Sequence, residues 1–517
     1  MGERRSREPY RWTRVRPVAR RSASSWTSNL PQVARARDTP LLSRLKAVLP
    51  AWFGGTSPAA RPPAESAVAA SEGPLSFTEA LATVGVPVSG LAPEDELVDL
   101  LENASEVEQG LMVQYLYSYY SCSDVLIGGI LNGIAIEEMG HFVTVQNLLL
   151  SCGQPPFLGT DDWTGPSLFH PFPFRLEPAS AGSLAKYTIA EMPDGRSVPA
   201  DIRADLPTIQ AEAAASAGGP VEPHRVGLLY AQIYWLLRPD DAPLNDPSQE
   251  PWIGFPVEDF ASVPELRGRH VRSDFFRDVS RESAVPDHWQ GNHNSVIVRP
   301  IATRKNALCA IADIAEQGEG FGQTPQSHFE RFVDAWRKAK RGDAIAMRVP
   351  TNPWYRAPQD PANVGTGDEI TSQLGIRFAT LGDLAYELIL LATAANLLLP
   401  ASAESALRGK AAKAAILAMR ECLRPIATTL AQLPLKQDDA SDAVCGLPFM
   451  RTPLRVGSDL PAVLDRARAV MGEITAMAAQ IAESDAPGTA KSIAEAVSYA
   501  IADDISPRLE ELVRGGQ

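Results

Sequence analysis

The sequence predicts an all-α chain: a four-helix bundle with long inserted connections and an additional helical region towards the C-terminal end. Three observations predict it. Apolar residues recur at steps of three and four in several long segments, as on one face of a helix. The segments between them are rich in Pro, Gly and Asp. No internal repeat and no strong parallel-sheet pattern interrupts this alternation.

Two of the helical segments carry ionisable residues inside their apolar seams. In the first, Leu97, Leu101, Ala104, Glu108, Leu111 and Tyr115 share a face. In the second, Ile127, Leu131, Ile134, Glu138, His141, Val145 and Leu148 do the same. An unpaired carboxylate is expensive to bury, so such groups are paired, protonated or bound to metal. One Glu on a helix, with Glu-x-x-His on the next, is the half-site of a di-iron carboxylate bundle. Glu137 falls off the seam and reads as a supporting or surface residue. Tyr115, Tyr117, Tyr119 and Tyr120 form a dense aromatic group, for which core packing is the default reading. Tyr115 also lies two turns past Glu108, near any metal-bound oxygen species, and is a catalytic candidate.

In chain order, residues 1–50 form a basic tail, with 12 Lys or Arg against 3 Asp or Glu. That is a net +9, which leaves −23 for the rest of a chain whose net charge is −14. So acidic a body argues against nucleic acid as the main partner. Residues 54–74 are a Gly-, Pro-, Ala- and Ser-rich linker, and 1–74 together are expected to lack a packed core. Short helices are expected near Leu41–Leu49 and from about Ser76. The bundle with its insertions is expected over 75–340, and the C-terminal helical region over 341–517.

The first seam helix starts after Pro93, where Glu94 and Asp95 suit a helix N-terminus. The second ends near Ser151, before Cys152-Gly153 and Pro155-Pro156. A connection from about 152 to 223 holds one short helix at Leu184–Glu191. A third helix runs from about His224 to Leu237. A second long connection follows, with a short strand expected at Ser295–Arg299. The fourth helix starts at the cap Thr303, and a fifth element at Ser327-His328-Phe329. Further helices are expected at about 376–399, 404–432, 458–484 and 487–514. Connections this long are expected to carry substrate-contacting or oligomer-forming structure.

Five scattered cysteines make no disulfide framework and fit a reducing compartment, so a cytoplasmic location is expected. Cys122 and Cys309 read as small buried hydrophobes. The most apolar run, Phe378 to Leu399, contains Asp383 and Glu387, so a buried protein helix is expected there and no membrane span. His170, His270, His288 and His293 lie in loop-like segments and read as structural hydrogen-bonding residues. No P-loop, dinucleotide fingerprint, nucleophile elbow or Cys-x-x-Cys pair is present, which removes most nucleotide, hydrolase and zinc readings.

Four runs recur in the same order in one known group. They are Glu106-Val-Glu108 with Tyr115-Leu116-Tyr117; Glu137-Glu138-Met139-x-His141; Ile311…Glu316-Gln-Gly-Glu319-Gly320; and Ser327-His328-Phe329-x-Arg331-Phe332. Through them the chain resembles the ferritin-like, iminophenyl-pyruvate dimer synthase type of domain. That domain occurs in the coupling enzymes of violacein, rebeccamycin and staurosporine biosynthesis and in stand-alone relatives. The resemblance covers roughly residues 95–335. It implies a non-haem iron-dependent oxidoreductase or oxidative coupling enzyme, acting on a small amino-acid-derived or aromatic substrate in specialised metabolism. It implies iron, as one or two ions, held by Glu108, Glu138, His141 and one or both of Glu316 and Glu319. His328 is a further candidate, taken with Tyr115 as catalytic. Haem is less favoured, since no attachment motif is visible.

Two positions depart from the group. Leu228 stands where the third helix has a carboxylate, and Gln109 where the first has His. His224 and Gln232 lie one turn either side of Leu228 and are the available substitutes. The departures lead us to expect one tightly bound iron. They also keep open the alternative of a non-catalytic ferritin-like scaffold or binding protein with an eroded metal site.

Overall fold

The structure is a computed structural model of the 517-residue chain. It describes residues 11–13, 85–158, 169–193, 198–218, 221–239, 260, 263–289, 296–320, 326–342, 345–356, 368–437, 442–450 and 459–515. The fold is all-α. The only strands among the described residues, β1 (Arg11–Thr13) and β2 (Val86–Val88), pair antiparallel. β1 falls inside the stretch expected to be tail. The helices expected near Leu41 and Ser76, and His293, lie outside the described residues.

Helix α1 spans Pro93–Ser121 and α2 Val125–Ser151. Pro93 occupies the first turn of α1 with Glu94, Asp95 and Glu96, where missing N–H groups cost nothing and carboxylates meet the helix dipole. Asp124 caps α2, accepting from Leu126 N and Ile127 N at 2.9 and 3.0 Å. The two helices pack along their length. Ile127, Leu131, Ile134, Val145 and Leu148 of the α2 seam are all fully buried, each contributing about 1.5–3 kcal/mol.

The connection after α2 holds two helices, α3 (Ala181–Ala190) and α4 (Ala200–Ala217). The second was not expected: Pro207 sits inside it, and a proline reads as a break. Helix α5 is Arg225–Leu237, α6 the single turn Pro286–Trp289, α7 Arg304–Glu319 and α8 His328–Arg341. Thr303 and Ser327 cap α7 and α8 with reciprocal side-chain bonds, as their positions suggest. Helices α1, α2, α5 and α7 supply the bundle, and α8 packs against α2, α3 and α7.

The strand expected at Ser295–Arg299 is absent over its described residues, 296–299. The extended chain is tied to α2 instead. Ile297 O accepts from Thr144 Oγ1 and Arg299 O from Asn147 Nδ2, while Arg299 N donates back to Thr144. Gly140 permits this approach, since a Cβ there would stand 2.7 Å from Ile297 O.

The C-terminal helices are α9 (Gln373–Leu398), α10 (Ser405–Leu417), α11 (Arg424–Leu430), α12 (Leu460–Glu483), α13 (Gly488–Tyr499) and α14 (Ser506–Gly515). Widened π turns join α10 to α11 and α13 to α14. By length and apolarity α9 could cross a membrane, but most of it is buried in protein, with α10, α11 and α12 packed on it. The bundle and these helices belong to one compact unit.

Candidate metal centre

Six ionisable side chains from five elements meet inside the bundle. Glu108 comes from α1, Glu138 and His141 from α2, Glu191 from the C-cap of α3, Glu319 from the last turn of α7 and His328 from the first of α8. All are buried. Glu138 stands at the middle. Its Oε2 lies 2.9 Å from His141 Nδ1, and its Oε1 lies 2.9 Å from His328 Nδ1. His141 Nδ1 is 3.6 Å from Glu108 Oε2, and His328 Nδ1 is 3.7 Å from Glu191 Oε2. Two groups of ligand atoms result, Glu108–Glu138–His141 and Glu138–Glu191–His328, each with its atoms within 4.8 Å of one another.

Hydrogen bonds hold the outer carboxylates. Tyr230 Oη donates to Glu108 Oε1, and Tyr115 Oη donates to Glu191 Oε1 at 2.7 Å. His141 Nε2 donates to Gln317 Oε1 at 2.9 Å; His328 Nε2 donates to Glu137 Oε2, also at 2.9 Å. Arg331 pairs with the same Glu137 carboxylate. A cavity of ≈ 20 Å³ opens among Glu108, Glu138, His141, Glu191, Glu319 and apolar residues that include Leu111, Val226 and Ile314. That is room for one or two water-sized species.

The electrostatics are those of crowded carboxylates. Burial and the neighbouring Glu138 charge push Glu108 up to about 8. Burial and the Glu191 and Glu108 charges push Glu319 well above the ordinary range, and burial with Glu138 raises Glu191. Burial also acts on Glu138, but the His328 and His141 imidazoles outweigh it and hold it well below. Against burial, Glu108 and Glu138 raise His141 to about 10. Protons thus neutralise part of the negative charge, which a dication binding there would displace.

The residues fit a pair of metal ions. Among the described residues, Glu108 Oε2 and both Glu319 oxygens are buried without a hydrogen-bond partner, and Glu138 Oε1 and His328 Nδ1 are satisfied only by facing each other at 2.9 Å. Four carboxylates and two imidazoles match the ligand count of a paired carboxylate site.

A family model described as ferritin-like matches residues 101–254. That stretch of the chain is ferritin-like. The match takes in Glu108, Glu138, His141, Glu191 and Tyr230; Glu319 and His328 lie beyond it. Dichlorochromopyrrolate synthase of Lentzea aerocolonigenes is 26% identical over 400 residues, which cover 68% of this chain and 35% of that protein. It is a member of the coupling-enzyme family that the motifs resemble. The chain spans about a third of the length of this curated relative. No solved structure matches the chain.

The sequence-derived residues divide. Glu108, Glu138, His141 and Glu319 come together as expected. Glu316 does not: it is exposed, because it lies about 60° round α7 from Glu319, past the edge of the buried face that Ile311, Ala315 and Glu319 form. His328 faces Glu138 in a ligand position, and Tyr115 reaches the site through Glu191. Leu228 is fully buried core. Neither proposed substitute serves, since His224 Nδ1 bonds Met192 O and Gln232 Nε2 bonds Pro87 O and Glu96 Oε1. Gln109 donates to Tyr386 Oη of α9 instead.

The carboxylate absent at 228 is replaced from the insertion by Glu191, which removes the basis for expecting a single ion. Glu191 closes the short helix expected at Leu184–Glu191. One signal marked it: Leu184, Tyr187 and Glu191 share a face, so this seam too ends in a carboxylate. Elsewhere, His270 and His288 make the structural bonds expected of them, to Trp235 O and Ser405 Oγ. Cys122 and Cys309 are half-buried, not buried.

Proposed function

We propose that the chain is a two-metal, iron-dependent oxidoreductase that oxidises or oxidatively couples a small aromatic or amino-acid-derived substrate in specialised metabolism. The observation that carries this reading is the pair of buried ligand groups sharing Glu138. The donor set favours iron or manganese over softer choices, because it is rich in carboxylate and contains no thiolate. The relative's coupling-enzyme family supports the oxidative class. Bound iron would supply one- and two-electron oxidation, with dioxygen or peroxide as oxidant. The protein's own part is positional. Tyr230 and Tyr115 hold the outer carboxylates by their phenol protons. Leu111, Val226 and Ile314 keep bulk water from the cavity. Glu319 either completes the ligand set or keeps a proton beside it. The cavity suits the oxidant in size, so the larger organic substrate reacts from its rim.

The alternative of an eroded scaffold rested on Leu228 and Gln109, and Glu191 offsets the first of these. All five cysteines are free thiols, in keeping with the cytoplasm as the proposed compartment. Elemental analysis after anaerobic Fe(II) loading tests the reading. Wild type should hold about two irons per chain, as a paired site does, and His141→Ala and His328→Ala fewer. Equal trace iron in all three would overturn it.

A further inference from the structure

We infer that the two metal positions are inequivalent and fill in order, the His328 position first, because a carboxylate stands behind His328 where an amide stands behind His141. This rests on the two-metal reading above and deepens it.

The two halves of the centre correspond group by group. Each has an outer carboxylate held by a tyrosine: Glu108 by Tyr230, and Glu191 by Tyr115. Each has one oxygen of Glu138, at the same 2.9 Å from its histidine. Each histidine turns Nδ1 inward and Nε2 outward. Asp313, another carboxylate that feels the His141 charge, is paired with Arg299. The correspondence fails at the acceptor of the Nε2 proton. For His141 it is the Gln317 amide oxygen; for His328 it is the Glu137 carboxylate.

That difference has a chemical consequence. An ionised acceptor draws the Nε2 proton more strongly than a neutral amide does. Electron density moves to Nδ1, and the imidazole becomes a better donor to a cation. Arg331 offsets part of the Glu137 charge. It also pins the carboxylate in its ionised form, so an acceptor with negative charge always stands behind His328. The sequence builds this from adjacent residues. Glu138 lies on the inner seam of α2. Glu137, one residue earlier, is rotated by about a quarter turn towards α8, which brings both His328 and Arg331. Glu137 is therefore a positioning residue, acting through His328.

The test is a stepwise anaerobic titration of the metal-stripped full chain with Co(II), followed by visible absorption and calorimetry. Wild type should take up a first equivalent more tightly than a second. Glu137→Gln should weaken the first step by roughly 10–100-fold and leave the second unchanged. Gln317→Leu should weaken the second step only. Arg331→Met, which keeps the Glu137–His328 bond, should weaken the first step by less. Gln317→Glu places a carboxylate behind His141 as well and should tighten the second step until the two merge. The last two variants keep the test decisive should Glu137→Gln not fold. Unchanged steps in Glu137→Gln, or a second step insensitive to Gln317→Glu, would overturn the inference while leaving two bound ions. A wild type that binds neither cobalt nor iron would overturn the two-metal reading with it.

Discussion

Gly318 leaves the space that the Glu191 carboxylate occupies. A Cβ at position 318 would stand 2.9 Å from Glu191 Oε2. The helix that supplies Glu319 is thus hollowed by one residue so that an inserted helix can supply its own carboxylate beside it. Gly318→Ala therefore separates stability from metal binding. Alanine favours the helix by roughly 0.5–1 kcal/mol over glycine, and the atom it meets is the end of a flexible side chain. The variant should melt at or slightly above the wild-type temperature. Its iron capacity should fall, because Glu191 Oε2 is pushed from its place facing His328. Full metal content in Gly318→Ala would show that Glu191 is not a ligand.

Leu228→Glu gives a related prediction. A carboxylate there would restore the pattern of the related domains, and on a one-ion reading it would raise bound iron. With Glu191 present, the position is fully buried core. A glutamate loses the leucine packing and adds another acid to a crowded site, at about 2–5 kcal/mol. Iron should not exceed the wild-type amount, and the melting temperature should drop. A gain in iron without loss of stability would reinstate position 228 as an empty ligand place.

What the sequence made legible follows from periodicity. Helices α1, α2, α5, α7 and α8 start and stop where Pro93, Ser151, His224, Thr303 and Ser327 said they would, since caps and breakers act locally. Glu108, Glu138 and His141 were legible because an ionisable group on an apolar seam stands out. Glu191 is marked only by Leu184 and Tyr187 on the face of a ten-residue helix, too short a seam to set its carboxylate apart. Helix α4 was hidden by Pro207, whose cost its packing against α3 outweighs. Choosing Glu319 over Glu316 required the rotation of α7 about its axis. The expected strand failed because Thr144 and Asn147 satisfy its backbone, a long-range substitution that no local pattern shows.

Removal of residues 1–74 should leave the fold standing. Strand β1 would be lost, but a three-residue pair adds little by itself. Strand β2 keeps its anchor, because Gln232 Nε2 donates to Pro87 O at 2.7 Å. A chain beginning at Leu75 should melt within a few degrees of the full chain and keep its iron capacity. A large fall in melting temperature would show that the segment contributes to the core.

Asp383 should make stability depend on pH. It lies on α9, 8% exposed, in the run whose ionisable residues argued against a membrane span. Its Oδ2 accepts from Tyr355 Oη at 2.9 Å, and its Oδ1 has no hydrogen-bond partner among the described residues. Burial pushes the carboxyl up to about 8, against the pull of the Tyr355 bond and of Arg356. Glu387, one turn along, is committed to Arg466 at 2.7 and 2.9 Å and does not relieve it. The sign follows from proton binding. Between the ordinary aspartate value near 4 and about 8, the folded chain holds a proton that the unfolded chain has released. The unfolded state binds fewer protons there, so stability falls as pH rises through this window and the penalty is complete above it. Asp383→Asn keeps an acceptor for Tyr355 and removes the titration. Wild type and variant should unfold at similar urea concentrations near pH 4, diverge as pH rises, and differ by a constant amount above pH 8, the variant being the more stable. Parallel pH profiles for the two would show that Asp383 is ionised at no cost in the folded chain.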